Sequence, residues 1–341
     1  MDTRERMPVQ PIVLPSNQPA HRFYLGGARI AEFRNEPANG DRAPEDWVAS
    51  TTTVAGHAHL GLSTLPDGTL LLDAVRRQPL AWLGQRHLDH YGVDTRLLVK
   101  LLDAGQRLPV HAHPGASFAH AHLGRAHGKA EAWYILSHGQ VHLGLKERVS
   151  HHDLLDLVNS QDVEALLALL HTREVRRGDT VYVPPGVLHA IGAGTFLVEV
   201  QEPEDLSILL EWRDFEIDGS QDGHLGLGFE TALRALDLNE RSDREVSALI
   251  SRGASGNSVL PEISREFFTL SHHLVDGPVT LDQGFSVIIV TEGEVQLRCA
   301  ASDTLELPRG STTVAPFDAG TLVINGHGEI LVCGPPERTT T

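Results

Sequence analysis

Short runs of apolar residues, separated by turn residues, recur along most of this chain. Examples are TRLLVKLL at 95–102, AWYIL at 132–136, VHLGL at 141–145 and FLVEV at 196–200. Runs of this length, rich in Val, Ile, Leu and aromatic residues and bounded by Gly, Pro or Asp, are typical of β-strands. Their regular spacing predicts a mainly β chain that forms sandwiches or barrels.

Two stretches depart from the β pattern. Residues 150–172 carry Leu and Val at helical spacing, with serine at possible N-cap positions, which predicts two short helices inserted between strands. Residues 70–84 have a weaker helical pattern. The turn SHGQ, between AWYIL and VHLGL, predicts that those two strands pair as a hairpin.

The spacing pattern of short strands occurs twice along the chain, which suggests two β-barrel (jelly-roll) modules. We expect a catalytic domain at 1–217, with its helical insertion at about 150–172, and a polar, Gly/Ser-rich linker at 218–262. A second module at 263–341 repeats an Arg-Gly turn followed by a strand that ends at proline. That copy lacks the histidines of the first, so we interpret it as a degenerate, structural copy.

Length and charge narrow the functional classes. The chain has 341 residues, enough for two domains, and a formal net charge of -17, which argues against a nucleic-acid or membrane-surface partner. Its two cysteines, Cys299 and Cys333, suit a reducing compartment. The first residues contain no apolar signal segment, and no apolar run is long enough to span a membrane. We therefore expect a cytoplasmic protein.

Four residues form a candidate metal site. His111 and His113 are one residue apart, so both imidazoles face the same way on a strand. Glu131 opens an apolar strand, where a lone carboxylate is costly to bury without a cation. His189 follows a strand that ends in a rigid Pro-Pro-Gly turn. Imidazole and carboxylate ligands suit zinc, manganese, iron or nickel. A second pair, His57 and His59, lies in a turn-like setting and is predicted to be a loop.

Further charged residues flank this candidate site. Lys129 lies two residues before Glu131, so it would face the same side and could bind phosphate or move a proton; alternatively it reaches solvent from a strand end. Glu199 lies among apolar residues and could be a general base, or could pair with an arginine. Three other histidines, His120, His122 and His127, are expected to be solvated beside the site.

The motifs resemble those of class I (cupin-type) mannose-6-phosphate isomerases, in their short bacterial form. The similar segments are LVKLLDAGQRLPVHAHP, GKAEAWYIL and GDTVYVPPGVLHAIGAGTFLVEVQEPEDL. The resemblance implies a zinc-dependent aldose–ketose isomerase, an intramolecular oxidoreductase that interconverts mannose 6-phosphate and fructose 6-phosphate through a cis-enediol. It places the family's metal ligands on His113, Glu131 and His189. The family's active-site lysine and acid fall on Lys129 and Glu199.

Two positions depart from that family pattern. His111 stands where the family usually has a glutamine ligand, which gives a set of three histidines and one glutamate. Leu209 stands where the family has an arginine, and Arg213 is the candidate to replace that cation from a shifted place. Two alternatives remain open: a non-catalytic protein that binds a sugar or sugar phosphate, and a cupin oxygenase that uses iron or manganese. The sequence makes no prediction about the oligomeric state.

Overall fold

The computed structural model describes residues 9–300 and 303–337, and strands dominate it. The strands are β1 (Ile12–Val13), β2 (Glu45–Val48), β3 (Leu98–Asp103), β4 (His111–Ala112), β5 (Glu131–Ile135), β6 (Gly139–Leu145), β7 (Leu170–Val175), β8 (Thr180–Val183), β9 (His189–Ile191), β10 (Phe196–Gln201), β11 (Ile208–Leu209), β12 (Ile250–Ser251), β13 (Thr269–Asp276), β14 (Val279–Leu281), β15 (Ser286–Arg298), β16 (Leu305–Pro308), β17 (Thr312–Ala315) and β18 (Leu322–Gly334). The prediction of a mainly β protein is confirmed.

The helices are short. They are α1 (Arg29–Arg34), α2 (Leu71–Arg77), α3 (Pro79–Leu83), α4 (Gln85–Tyr91), α5 (Ala116–Leu123), α6 (His151–Ser160), α7 (Val163–Ala168), α8 (Gly219–Asp222), α9 (Phe229–Ala232) and α10 (Asp243–Ala248), with 3₁₀ turns at Leu233–Ala235, Glu262–Glu266 and Phe317–Ala319. Helices α6 and α7 confirm the predicted insertion, and the hydroxyl of Ser150 caps α6 by accepting from the amide of Asp153. Within 9–300 and 303–337, no helix is long and apolar enough to cross a bilayer.

Two sheets build the first module. One has the strand order β12-β8-β5-β10-β3-β2, and the other has the order β11-β4-β9-β6-β7. Strands β5 and β10 are buried along their whole length, which explains their nearly continuous apolar sequences. The metal-site candidates lie on both sheets, because His111 and His189 belong to the second and Glu131 to the first. The fold therefore brings their side chains together between the two sheets.

The predicted hairpin between β5 and β6 is wrong. Strand β5 pairs with β8 and β10, whereas β6 pairs with β7 and β9 in the other sheet. The SHGQ segment thus carries the chain from one sheet to the other. Its turn chemistry is that of a hairpin, but each strand finds its partners elsewhere in the sequence, which is a consequence of the jelly-roll topology.

The second module is a sheet with the order β1-β17-β15-β18-β13, to which β14 and β16 add at β18 and β15. Strand β1 comes from the N-terminal part of the chain and pairs with β17. Strand β12, in the predicted linker, pairs with β8 of the first module. The same linker contains α8 to α10, with Leu233 and Val246 buried. Strand β1, from the predicted catalytic domain, thus joins the sheet of the second module. Strand β12, from the predicted linker, joins a sheet of the first module.

Candidate active site

Three imidazoles meet between the sheets of the first module. His111 on β4 and His189 on β9 are direct partners across neighbouring strands, and His113 follows β4. The ring centroids of His111 and His189 are 4.1 Å apart, and His113 lies 4.9 Å from each. One nitrogen of each ring lies within 4.8 Å of the others. Strand alternation explains why His111 and His113 share this face, and sheet register adds His189.

Backbone carbonyls fix the orientation of each ring. Every Nδ1 donates to a carbonyl oxygen: His111 to Pro109 (2.8 Å), His113 to Leu206 (2.7 Å) and His189 to Val187 (2.8 Å). A carbonyl oxygen can only accept a hydrogen bond, so Nδ1 carries the proton and the lone pair lies on Nε2. Metal-binding histidines are commonly oriented in this way. Burial also lowers the pKa of His113 to about 3, with a further contribution from the Lys129 ammonium, so its ring is neutral near pH 7.

Glu131 brings a carboxylate to the same point. Its Oε2 is 3.0 Å from Nε2 of His113, and its Oε1 is 3.2 Å from Nε2 of His189. Burial alone would raise the pKa of this carboxyl, but the positive charge of the Lys129 ammonium holds it well below its usual range. The carboxylate is therefore ionised at the centre of a buried cluster.

This donor set fits a divalent cation. Three Nε2 atoms and one carboxylate converge in a buried site, and each ring is already held by its other nitrogen. The Lys129 ammonium lies 2.9 Å from Oε2 of Glu131 and 3.0 Å from Nε2 of His113, so a positive charge faces these donors. Nitrogen and oxygen donors of this kind do not select one transition metal by affinity alone.

A second ion pair lies next to Lys129. Glu199 on β10 and Lys100 on β3 are direct cross-strand partners, and Oε1 of Glu199 is 3.0 Å from Nζ of Lys100. The same oxygen is 4.0 Å from Nζ of Lys129. Burial raises the pKa of Glu199, Lys100 partly offsets this rise, and the negative charge of Glu131 adds to it. A carboxyl with a raised pKa is suited to proton transfer near neutral pH.

Lys100 was not identified from the sequence, although the sequence contains a signal for it. The chain has only three lysines, Lys100, Lys129 and Lys146, and Lys100 stands alone in the apolar strand β3. A lone charge in a buried strand is the same signal that identified Glu131. The structure buries Lys100 between Glu199 and Glu45, whose Oε1 is 3.5 Å away.

Several of these side chains line one cavity, which we call the metal pocket. Its volume is 40 Å³, and its walls include Arg22, Lys100, His111, Lys129, Glu199 and Leu209. Leu209 is apolar and is the cross-strand partner of His111. Arg22 enters the pocket from the N-terminal segment, whereas Leu209 stands at the position where the resemblance implies an arginine.

The structure does not bring Arg213 into the metal pocket. Its guanidinium lies at the surface, where it pairs with Glu164 at 3.0 Å and remains 47% exposed. Arg213 follows the short strand β11 and is not among the residues that line the pocket. This placement does not support Arg213 as the replacement cation. Arg22 was not identified from the sequence, because no local pattern marks it.

Of the other histidines, His127 differs from its predicted solvated state. It is buried, and its Nε2 is 2.7 Å from Oδ2 of Asp94. His120 and His122 lie exposed on α5, as expected. His57 lies on the rim of a separate cleft and, with His59, in a segment without regular structure, as predicted.

Curated relatives resemble the chain over nearly its whole length, although no family model matches it. A protein named probable mannose-6-phosphate isomerase GmuF, from Bacillus subtilis, is 30% identical over 325 residues, covering 91% of this chain and 95% of that protein. The mannose-6-phosphate isomerase of Streptococcus mutans is 26% identical over 329 residues, covering 94% of this chain and 97% of that protein.

Solved structures agree on the architecture. The mannose 6-phosphate isomerase of Bacillus subtilis has a TM-score of 0.69 at 22% identity, covering 95% of this chain and 99% of that one. A mutant of the phosphomannose isomerase of Salmonella typhimurium has a TM-score of 0.74 at 14% identity, covering 96% and 100%. At these identities the likeness establishes the fold.

Proposed function

The chain belongs to the mannose-6-phosphate isomerase family, and we propose from this premise that it interconverts mannose 6-phosphate and fructose 6-phosphate at the metal pocket. It is an aldose–ketose isomerase by family membership. The observation that carries the proposal is the convergence of His111, His113, His189 and Glu131 in one buried cluster beside Lys129 and Glu199. An isomerase of this type needs both a cation and a group that moves one proton. The histidine–glutamate cluster could bind the cation, and Glu199 could move the proton.

We assign the cation site to three histidines and Glu131, with zinc as the proposed ion. When bound, the ion would polarise the hydroxyl and carbonyl oxygens at C1 and C2 of the sugar. The carbonyls that hold the Nδ1 atoms keep the rings aimed at the cluster, so little reorganisation is needed. His111 in place of glutamine provides an imidazole nitrogen where an amide oxygen would be the donor, and it adds no charge.

The proton-transfer group is proposed to be Glu199. As a carboxylate it would take the proton from C2 of the aldose, leaving a cis-enediol, and the resulting carboxylic acid would then deliver a proton to C1 to give the ketose. The hydroxyl proton moves from O2 to O1 in the same conversion, so the atoms balance. Lys129 is placed to donate hydrogen bonds to these oxygens while negative charge develops on them.

The direct test is to incubate the zinc-loaded protein with mannose 6-phosphate in D₂O. We expect fructose 6-phosphate to form and deuterium to appear at C1, because the base exchanges its proton with solvent during turnover. A parallel panel of free and phosphorylated aldoses and ketoses would identify the preferred sugar. No product and no deuterium in any sugar of the panel, with metal bound, would refute the proposal.

The pH profile offers a second check, on the pairing of Lys100 with Glu199. The base must be ionised, so activity falls as pH drops through the pKa of Glu199. Lys100 lowers that pKa against the effect of burial. In Lys100→Met we therefore expect the acidic limb of kcat to move to higher pH by about one unit or more.

Lys100→Arg is the matched control for this shift, because it keeps the positive charge beside Glu199. Its acidic limb should stay close to that of the unaltered protein. An acidic limb in the same place for Lys100→Met would mean that Glu199 is not the titrating base.

The two alternative functions gain less support. A cupin oxygenase would need a redox-active ion, and the relatives carry isomerase names instead. A non-catalytic sugar-binding protein would not need a carboxyl with a raised pKa beside the cluster. Full isomerase activity with redox-inert zinc would exclude the oxygenase.

A further inference from the structure

The metal pocket contains a row of charges that extends away from the histidine cluster. Seven largely buried side chains alternate in sign in the order Glu131, Lys129, Glu199, Lys100, Glu45, Arg22 and Asp205. Successive nitrogen-to-oxygen distances are 2.9, 4.0, 3.0, 3.5, 3.0 and 3.4 Å. The row links the candidate reaction centre at one end to Arg22 and Asp205 at the other.

Arg22 is the cation whose contacts in this row are most easily exchanged. Its two guanidinium contacts with Asp205 are long, at 3.4 and 3.5 Å, which is at the limit of hydrogen bonding. Its Nε lies closer to a carboxylate, 3.0 Å from Oε2 of Glu45, so the exchangeable contacts are those of the two terminal nitrogens with Asp205. A planar guanidinium is also the cation best matched to an oxyanion with several acceptor oxygens.

Asp205 marks the border between the metal pocket and a larger cleft, which we call the outer cleft. The outer cleft has a volume of 540 Å³ and includes Thr51, Thr52, Arg125, His127 and Asp205 in its walls. Asp205 lines both spaces, and its Oδ2 accepts from the amide of Ala55 on the cleft side. The ion pair of Arg22 with Asp205 therefore stands where the two spaces adjoin.

A hexose phosphate cannot fit in the metal pocket as it stands. Its 40 Å³ is far below the roughly 300 Å³ at the lower end of small-molecule sites. The outer cleft is large enough, so the substrate would have to extend across the border held by Arg22 and Asp205. In an open-chain sugar with its first two carbons at the histidine cluster, the far end would then reach this border.

The charges of the row favour an anion at that end. Four carboxylates and three cations give a net charge of one negative, and a divalent ion at the cluster changes this to one positive. Leu209, which also lines the pocket, contributes no charge. An incoming phosphate would compete with Asp205 for the terminal nitrogens of Arg22, whose contacts with Asp205 are long.

We propose that Arg22 binds the anionic end of the substrate, exchanging its contacts with Asp205 for contacts with the phosphate. Arg22 is then the residue that selects phosphorylated over free sugars, and it does so from the N-terminal segment. This inference rests on the proposed isomerase function for the identity of the reaction, but its central claim is binding of a phosphate group.

The test compares Arg22→Gln with the unaltered, zinc-loaded protein. We expect KM for mannose 6-phosphate and the competitive inhibition constant for inorganic phosphate to rise together, by about 10- to 100-fold, through loss of a charged hydrogen-bonding pair. The kcat should change less than about threefold, because Arg22 acts on binding. Arg173→Gln, which removes a surface arginine paired with Asp243, is the matched control.

Asp205→Asn gives an independent readout if Arg22→Gln folds poorly. Removing the competing carboxylate should lower the inhibition constant for phosphate by about threefold or more. An unchanged inhibition constant in both variants would overturn the proposal, as would an equal loss of kcat and of substrate binding in Arg22→Gln. If calorimetry shows phosphate binding that depends on Arg22 while no sugar phosphate is isomerised, the inference stands and the proposed function fails.

Discussion

Replacement of Glu131 by alanine is expected to abolish metal binding and turnover together. Its carboxylate lies within 3.2 Å of the Nε2 atoms of His113 and His189, and it provides the negative charge of the cluster. Loss of a direct ligand should lower metal affinity by more than the 10- to 100-fold typical of groups that support a ligand from behind. Removal of a Lewis acid worth several kcal/mol should reduce kcat by about 1,000-fold or more.

The measurements are metal content after dialysis and the rate of isomerisation. Glu174→Ala is the control, since Glu174 is an exposed acid on β7 that pairs with the exposed His138. The metal-free Glu131→Ala protein should also be less stable, because the buried Lys129 ammonium loses its carboxylate at 2.9 Å. Unaltered turnover in a Glu131→Ala protein shown to lack metal would refute the assignment of the metal site.

Replacement of Lys129 by alanine should have the opposite signature: metal retained and turnover lost. The ammonium is not a metal ligand, because it is itself a cation, yet it lies 3.0 Å from Nε2 of His113 and 4.0 Å from Glu199. From this place it can stabilise the negative charge that develops on the sugar oxygens. We expect kcat to fall by about 10²- to 10⁴-fold, the range typical of a positioned acid or base.

Lys146→Ala is the matched control, since the third lysine of the chain lies at the surface and donates to the carbonyl of Ala168. It should retain both metal and activity. Metal content and kcat are measured on the same preparations, so that the two effects separate. Parallel loss of metal in Lys129→Ala would make the lysine a support of the metal site instead of a participant in the reaction.

The main features of the fold and of the metal site follow from local sequence patterns. Apolar runs with Gly and Pro turns predicted the β class, and helical spacing predicted α6 and α7. The candidate ligands were recognisable because His111 and His113 alternate on one strand and Glu131 interrupts an apolar run. These signals are local, since they depend on strand and helix periodicity and on the cost of burying a charge.

The hairpin prediction failed because turn chemistry describes only the turn. The residues between β5 and β6 are suited to joining antiparallel neighbours, but β5 pairs with β8 and β10 in a different sheet from β6. Strand partners are decided by how both faces of each sheet are covered. That depends on the whole chain and not on the four residues of the turn.

Only the tertiary structure decided how the charges around the metal site are arranged. Lys100 faces Glu199 because the register of β3 on β10 places them opposite each other, ninety-nine positions apart in the sequence. Arg22 reaches the pocket from the N-terminal segment, while Arg213, closer in sequence to the expected position, lies at the surface. The identity of each charge is written in the sequence, but its partner is set by sheet register and by long-range packing, which no local pattern encodes.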